Sequence, residues 1–248
     1  MTRFPVLPKL RRVIFNDWKD ELCIFSPSIF PSLESVLLHV SDPIQRFLPT
    51  SGFQPHDKVK NVALNLESSE ENPVVRNLHL LMDYLKRQFP SVNRFHLYKM
   101  PQAIDTSTFL AIHDAFPELK DIGLDGFCDF ASLCGIGIDV ITNYWENGLS
   151  IATEDIPRKC SILSFSKLEV LVLTEEIVVT NDMIIYCFSK IPSLRCLSFH
   201  WNGDLSVNEV RDCLGHLQKI KIRAGAEFQN LKEVFLESMP NVVAVIRC

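Results

Sequence analysis

Apolar positions along this chain recur as Φ-x-x-Φ-x-Φ, where Φ is apolar. The pattern falls at Leu10-Val13-Phe15, Leu33-Val36-Leu38, Val59-Val62-Leu64 and Val92-Phe95-Leu97. It returns at Leu119-Ile122-Leu124, Leu168-Leu171-Leu173, Leu194-Leu197-Phe199 and Leu231-Val234-Leu236. Its first positions are separated by 23, 26, 33, 27, 49, 26 and 37 residues. Four occurrences open with nearly the same phrase, FPSL, FPSV, FPEL and IPSL. The last two Φ positions are two apart, so both lie on one side of an extended strand, and the first closes the turn that enters it. One such unit cannot bury its apolar side alone, whereas stacked units can, each strand pairing in parallel with the next. The spacing therefore predicts strands near Val13, Val36, Val62, Phe95, Ile122, Leu171, Leu197 and Val234 in one parallel sheet.

Between strands the period changes to that of a helix. Asn72 and Pro73 read as N-cap and first helical position before a stripe of Leu78, Met82, Leu85 and Phe89. Asp105 reads as the cap of a helix carrying Phe109, Ile112 and Phe116 on one face. Ile184, Phe188 and Ile191 form a third stripe. Ser206 and Glu209 form a capping box ahead of Val210, Cys213, Leu214 and Leu217. The wide interval between Leu119 and Leu168 is read as one repeat with an insertion near 128–163. It contains a helix from Asp139 to Asn147 and an exposed loop from Ala152 to Lys159. The domain expectation is one irregular α/β solenoid over 1–248, with about eight repeats, strands on one face and helices on the other.

If the second and third Φ positions point inward, the residues between and beside them line the open face of the sheet. They are Arg12, Ile14 and Asn16, then Ser35, Leu37 and His39, then Asn61, Ala63 and Asn65. Arg94, His96 and Tyr98 follow, then Asp121, Gly123 and Asp125. Val170, Val172, Thr174, Cys196, Ser198, His200, Glu233, Phe235 and Glu237 complete the surface, grading from basic to acidic along the chain. Tyr98, Phe235, Leu37 and Trp201 are residue types that anchor interfaces. Asp121 and Asp125 are expected either to hold Arg94 or to receive a basic side chain from a partner.

Composition narrows the functional classes. The chain has 47% hydrophobic and 22% charged residues, and a formal charge of -5. That balance supports a folded core and argues against a general nucleic-acid or anionic-membrane surface, which needs clustered Lys and Arg. No apolar run reaches the roughly 18 residues of a transmembrane helix. None of the eight cysteines stands in a C-x-x-C pair and no N-x-[ST] site occurs. Reduced, mostly buried thiols in the cytoplasm or nucleus are the expectation.

Catalytic motifs are missing. Gly135-Ile136-Gly137 lacks the third glycine of a dinucleotide loop and reads as a turn. His113-Asp114 lacks further ligands at helical spacing, and Cys128 and Cys134 have no basic neighbour to activate a thiolate. No catalytic residue, cofactor or metal is assigned.

The repeats, strand, turn, helix and turn at intervals mostly within or near 20–29 residues, resemble the ribonuclease-inhibitor-like group of leucine-rich repeats. They are most similar to the irregular repeats of F-box receptor proteins. The Asn or Cys that this family places three residues after the third Φ is matched only by Asn202. The resemblance implies a horseshoe with a concave parallel sheet and convex helices. It also implies a protein-interaction module, used as the substrate-recognition half of an F-box-type (SCF) ubiquitin ligase. The alternative is a leucine-rich-repeat scaffold or regulator unconnected with ubiquitin. The expected partner is another protein on the concave face, with a Skp1-like adaptor if an F-box lies outside this chain. Neither nucleic acid nor membrane is expected. Repeats that begin within the first ten residues leave no room for F-box helices, and "NVVAVIRC" stops where another strand is expected. The chain therefore reads as a natural truncation or as a domain cut from a longer protein.

Overall fold

The computed structural model describes residues 5–16, 25–40, 54–66, 78–136, 159–201, 207–223 and 243–247, with backbone alone for 201, 207–210 and 243–247. The chain divides into two compact units, residues 1–102 with 111–119, and residues 103–110 with 120–248.

The recurring phrase is a turn. In FPSL the N–H of Leu33 donates to the carbonyl of Phe30, three residues back. The same bond joins Val59 to His56, Val92 to Phe89, Leu119 to Phe116, Leu168 to Phe165, Leu194 to Ile191 and Leu217 to Leu214, at 3.0 to 3.4 Å. Proline suits the second position of such a turn because its ring presets φ. Both ends of each turn are buried, Phe30 with Leu33, Phe89 with Val92, and Phe165 with Leu168. One residue later, a carbonyl accepts two N–H groups of the following repeat. Arg11 O takes Glu34 and Ser35, Glu34 O takes Lys60 and Asn61, and Lys60 O takes Asn93 and Arg94. Turn upon turn, this stacking sets strands side by side in register.

In the first unit the strands are β1 (Arg12–Phe15), β2 (Ser35–Val40), β3 (Asn61–Leu66) and β4 (Arg94–Tyr98), paired parallel in chain order. Helix α1 (Leu78–Gln88) buries Leu78, Met82 and Leu85, the expected stripe, together with Leu81 and Tyr84. Phe25 packs edge-on against Phe89 at 5.3 Å, and Phe95 lies 6.0 Å from Phe116. His56 takes the aromatic's place in one turn. It is 1% exposed, its Nε2 lies 2.7 Å from Phe30 O, and its N–H donates to Gln88 O. Buried Gln88 in turn donates to the carbonyls of Phe25 and Gln54, so one amide satisfies two loop carbonyls beneath the sheet.

Helix α2 (Thr106–Ala115) buries Phe109 and Ile112, with Phe116 following. The division between units falls within it. Asp105 caps it as expected. Its carboxylate accepts from Thr108 N at 2.9 Å, from Ser107 Oγ at 2.7 Å and from Thr108 Oγ1 at 3.0 Å. Partial burial pushes the Asp105 pKa up, but these donors outweigh it and hold the pKa below its ordinary 3.8. A carboxyl whose folded pKa is depressed adds stability above its unfolded pKa and loses it as pH falls through the folded value. Asp105→Asn should therefore flatten the loss of stability in acid, and Asp105→Ala should cost about 1 kcal/mol at neutral pH. Thermal unfolding of the three proteins across pH checks both.

The second unit holds β5 (Asp121–Leu124), β6 (Val170–Leu173), β7 (Val178–Val179), β8 (Cys196–Trp201), β9 (Lys219–Arg223) and β10 (Val243–Arg247). β5, β6, β8, β9 and β10 are neighbours in that order, β7 pairs with β8, and the five pairings are parallel. Helix α3 (Phe130–Cys134) follows β5, capped by Asp129 accepting from Ser132 N at 2.7 Å. Helix α4 (Asn181–Tyr186) precedes a 3₁₀ turn at Phe188–Lys190, and α5 (Val207–Leu214) precedes β9.

Two expectations change here. Leu217 is not the end of a helical stripe: α5 stops at Leu214, and Leu217 closes the turn into β9. Leu217-Ile220-Ile222 is itself a copy of Φ-x-x-Φ-x-Φ, beginning 23 residues after Leu194. The strand beside β8 is therefore β9, and the one predicted at Val234 lies outside the described residues. The terminal phrase "NVVAVIRC" also contains a paired strand, β10. The segment expected to be a helix from Asp139 to Asn147, and nearly all of the loop after it, are outside the described residues too.

Of the six cysteines described, Cys128, Cys134 and Cys187 are buried, Cys160, Cys196 and Cys213 are half-buried, and all are free thiols. Among the described residues no helix is long and apolar enough to cross a membrane.

Candidate functional site: the open faces of the two strand arrays

Alternation along each strand separates a sealed face from an open one. In the first unit Val36, Leu38, Val62, Leu64, Phe95 and Leu97 are sealed, each 2% exposed or less. Strand register arranges the other face as a grid. Arg12, Ser35, Asn61 and Arg94 form one row, and Ile14, Leu37, Ala63 and His96 the next. His39, Asn65 and Tyr98 form the third, and exposed Asn16 follows β1 in the same alternation.

The rows differ chemically. The first is polar and carries two guanidinium groups. The second is apolar at one end, where Ile14 is 56% exposed, and steps down at Ala63 between the larger Leu37 and His96. The third is a hydrogen-bonding row. Asn65 Nδ2 lies 3.0 Å from His39 Nδ1, and the Tyr98 hydroxyl lies 3.1 Å from His96 Nδ1. Asn65 departs from the expected exposure: at 9% it is buried, and its Oδ1 has no hydrogen-bond partner among the described residues. It props His39 and does not offer a contact surface of its own. Tyr98 is 37% exposed and Arg94 is exposed, as an interface anchor requires.

In the second unit the open grid runs Asp121, Val170, Cys196, Lys219 in one row and Val172, Ser198, Lys221 in the next, where Gly123, in register with Val172, is buried and departs from the expected exposure. Asp125 accepts a 2.5 Å hydrogen bond from the Thr174 hydroxyl, and His200 is in register with Arg223. Trp201 ends β8 in register with Val179. Glu233, Phe235 and Glu237 lie outside the described residues. The expected drift from basic to acidic is corrected within this unit, because β9 supplies Lys219, Lys221 and Arg223 at the end opposite the β5 carboxylates. Arg94 and the aspartates expected to hold it fall in different units.

In the second unit, exposed groups that escape the sequence reading include Phe127 at 62% and Val178 at 45%. Nothing in the apolar periodicity distinguishes an exposed Phe127 from a buried one, since it follows β5 in a turn.

Among the described residues no three His, Cys, Asp or Glu side chains converge as metal ligands. Burial, and then the charge of Asp129, raise the Cys128 pKa, the opposite of an activated nucleophile. An open groove of about 520 Å³ lies at the strand entrances of the first unit, lined by Arg11, Ser32, Glu34, Asp57, Lys58 and Lys60. Its charges alternate along the stacked turns, with Arg11 3.8 Å from Glu34. The second unit repeats the device: Lys120 donates to Glu169 at 3.0 Å, and that bond, then the Lys120 charge, lowers the Glu169 pKa. These are solvated pairs along a structural turn. The strand faces, in contrast, combine exposed aromatic and apolar side chains with polar and charged groups, the mixture found at protein interfaces.

Comparison with protein-family models gives no match, and comparison with curated proteins gives none.

Proposed function

We propose that this chain is an irregular leucine-rich-repeat solenoid of the ribonuclease-inhibitor-like kind, whose open strand face is the concave surface and binds another protein. Its specific role in this reading is substrate recognition for an F-box-type ubiquitin ligase in the cytoplasm or nucleus. A Skp1-like adaptor would be recruited through an F-box outside these residues. The observation that carries the binding role is the first unit's grid, in which Arg94, His96 and Tyr98 stand on one strand beside the apolar row of Leu37 and Ile14. Tyr98 can bury a ring while keeping its hydroxyl bonded, and Arg94 can make paired contacts to a carboxylate. The ligase role rests on the resemblance of the repeats to those of F-box proteins.

Affinity purification followed by mass spectrometry identifies the partner, and affinity is then measured for Tyr98→Ala and Arg94→Ala. Each should lose about thirtyfold, or about 2 kcal/mol. Losses below a factor of two would remove this strand from the binding site. Recovery of a Skp1-like adaptor from the full-length gene product supports the ligase role; recovery of the partner without it favours a scaffold unconnected with ubiquitin.

A further inference from the structure

Lys219, Lys221 and Arg223 stand at alternate positions of β9, on the face that also carries Cys196, Ser198 and His200 of the neighbouring strand. Side chains at alternate strand positions recur every ~6.8 Å, so three like charges sit in a short column beside the β8 side chains. Lys221 and Arg223 are exposed and Lys219 is half-buried. Arg223 lies 3.3 Å from Glu175, which offsets one charge of the three. On the other side of β9, Arg247 of β10 is the register partner of Arg223. In a chain whose formal charge is -5, this column runs against the average.

From this column we infer that β9 is the docking line for an acidic segment of a partner protein, extended and carrying Glu or Asp at every second residue. The assignment rests on the reading of the open strand face as a protein-binding surface and names the chemistry that part of it selects. Carboxylates spaced two residues apart on an extended segment match the spacing of the cations. Two further features set its direction. β5, three strand spacings or ~14 Å away, carries Asp121 on the same face and is followed by Asp125, so an acidic segment crossing the sheet would meet like charge. Lying along β9 it meets cations throughout. The column is also too short for the many phosphate contacts of a nucleic-acid site.

The test uses the full chain and three fluorescent probes: a peptide with Glu at every second position, the same peptide with Lys, and a single-stranded oligonucleotide of similar charge. The acidic peptide should bind, weaken as salt rises, and lose about tenfold in affinity on Lys221→Glu, with the melting temperature unchanged because Lys221 is exposed. The Lys peptide should not bind. No binding by the acidic peptide, equal binding by the oligonucleotide, or an affinity untouched by both Lys221→Glu and Lys219→Glu would overturn the assignment. Failure here, with Tyr98→Ala still weakening the natural partner, removes only the acidic-segment chemistry. Failure of both removes the open face as the binding surface.

Discussion

Leu97→Ala should lower the stability of the chain by about 2–5 kcal/mol, whereas its neighbour Tyr98→Ala should leave folding nearly unchanged. The two residues are adjacent on β4 and differ only in the face they occupy. Leu97 is 0% exposed, in register with Leu64 of β3, which is also 0% exposed. Truncation there removes buried methyl groups and leaves a cavity that rigid strand pairing on the β3 side cannot close. Tyr98 is 37% exposed, so its removal costs a surface ring and the contact to His96. Chemical denaturation of both variants tests the alternation on which the whole open face depends. Equal destabilisation by the two would mean that β4 does not divide a sealed side from an open one.

Gly135→Ala should cost on the order of 3 kcal/mol, more than an ordinary surface substitution, because two effects add. Gly135 ends α3 in the left-handed region, with φ at 69°, where a side chain is strained. Space is also missing: an added Cβ would fall 2.3 Å from the carbonyl of Lys159. That approach exists because Lys159 N donates to Gly135 O at 2.9 Å, tying the end of α3 to the chain that leads toward β6. Gly135→Ala should therefore also raise hydrogen exchange at Lys159 and around Ser161. A melting temperature equal to that of the parent would show that this closure is not needed. The role of Gly135 is thus a helix terminus, in keeping with its reading as a turn.

Seven strands could be read from the sequence because each carries the Φ-x-x-Φ-x-Φ pattern. At β2 to β6 and β8 a buried residue stands three positions ahead of the first Φ, as in Phe30-Leu33 or Ile191-Leu194, whereas at β1 that residue, Leu7, is 43% exposed. β9 was hidden because its entry, Leu214 to Leu217, also continues a helical stripe through Val210 and Cys213. A period of three or four residues cannot separate a helix that continues from one that stops and turns. Here Gly215 stands at the change, its N–H bonded to Arg211 O. His56 was passed over for a simpler reason: it fills an aromatic's place in the turn while ranking as polar. On the open face, alternation located Arg94, His96 and Tyr98, but it could not tell that Asn65 would be buried against His39. That burial depends on the length of cross-strand neighbours, which a single strand's pattern does not contain. The cations of β9 were lost with their strand, and the charge trend along the sheet was misread in consequence.

In the proposed reading a partner binds the open strand face and not the helical side. A photo-reactive amino acid placed singly at Leu37, Tyr98, His79 or Leu80 of the full chain tests it most directly, with His79 and Leu80 as exposed positions on α1. Irradiation in the presence of the purified partner should give the same covalent adduct from Leu37 and from Tyr98, and none from the two helix positions. An adduct formed from His79 or Leu80, with none from Leu37 and Tyr98, would contradict the account.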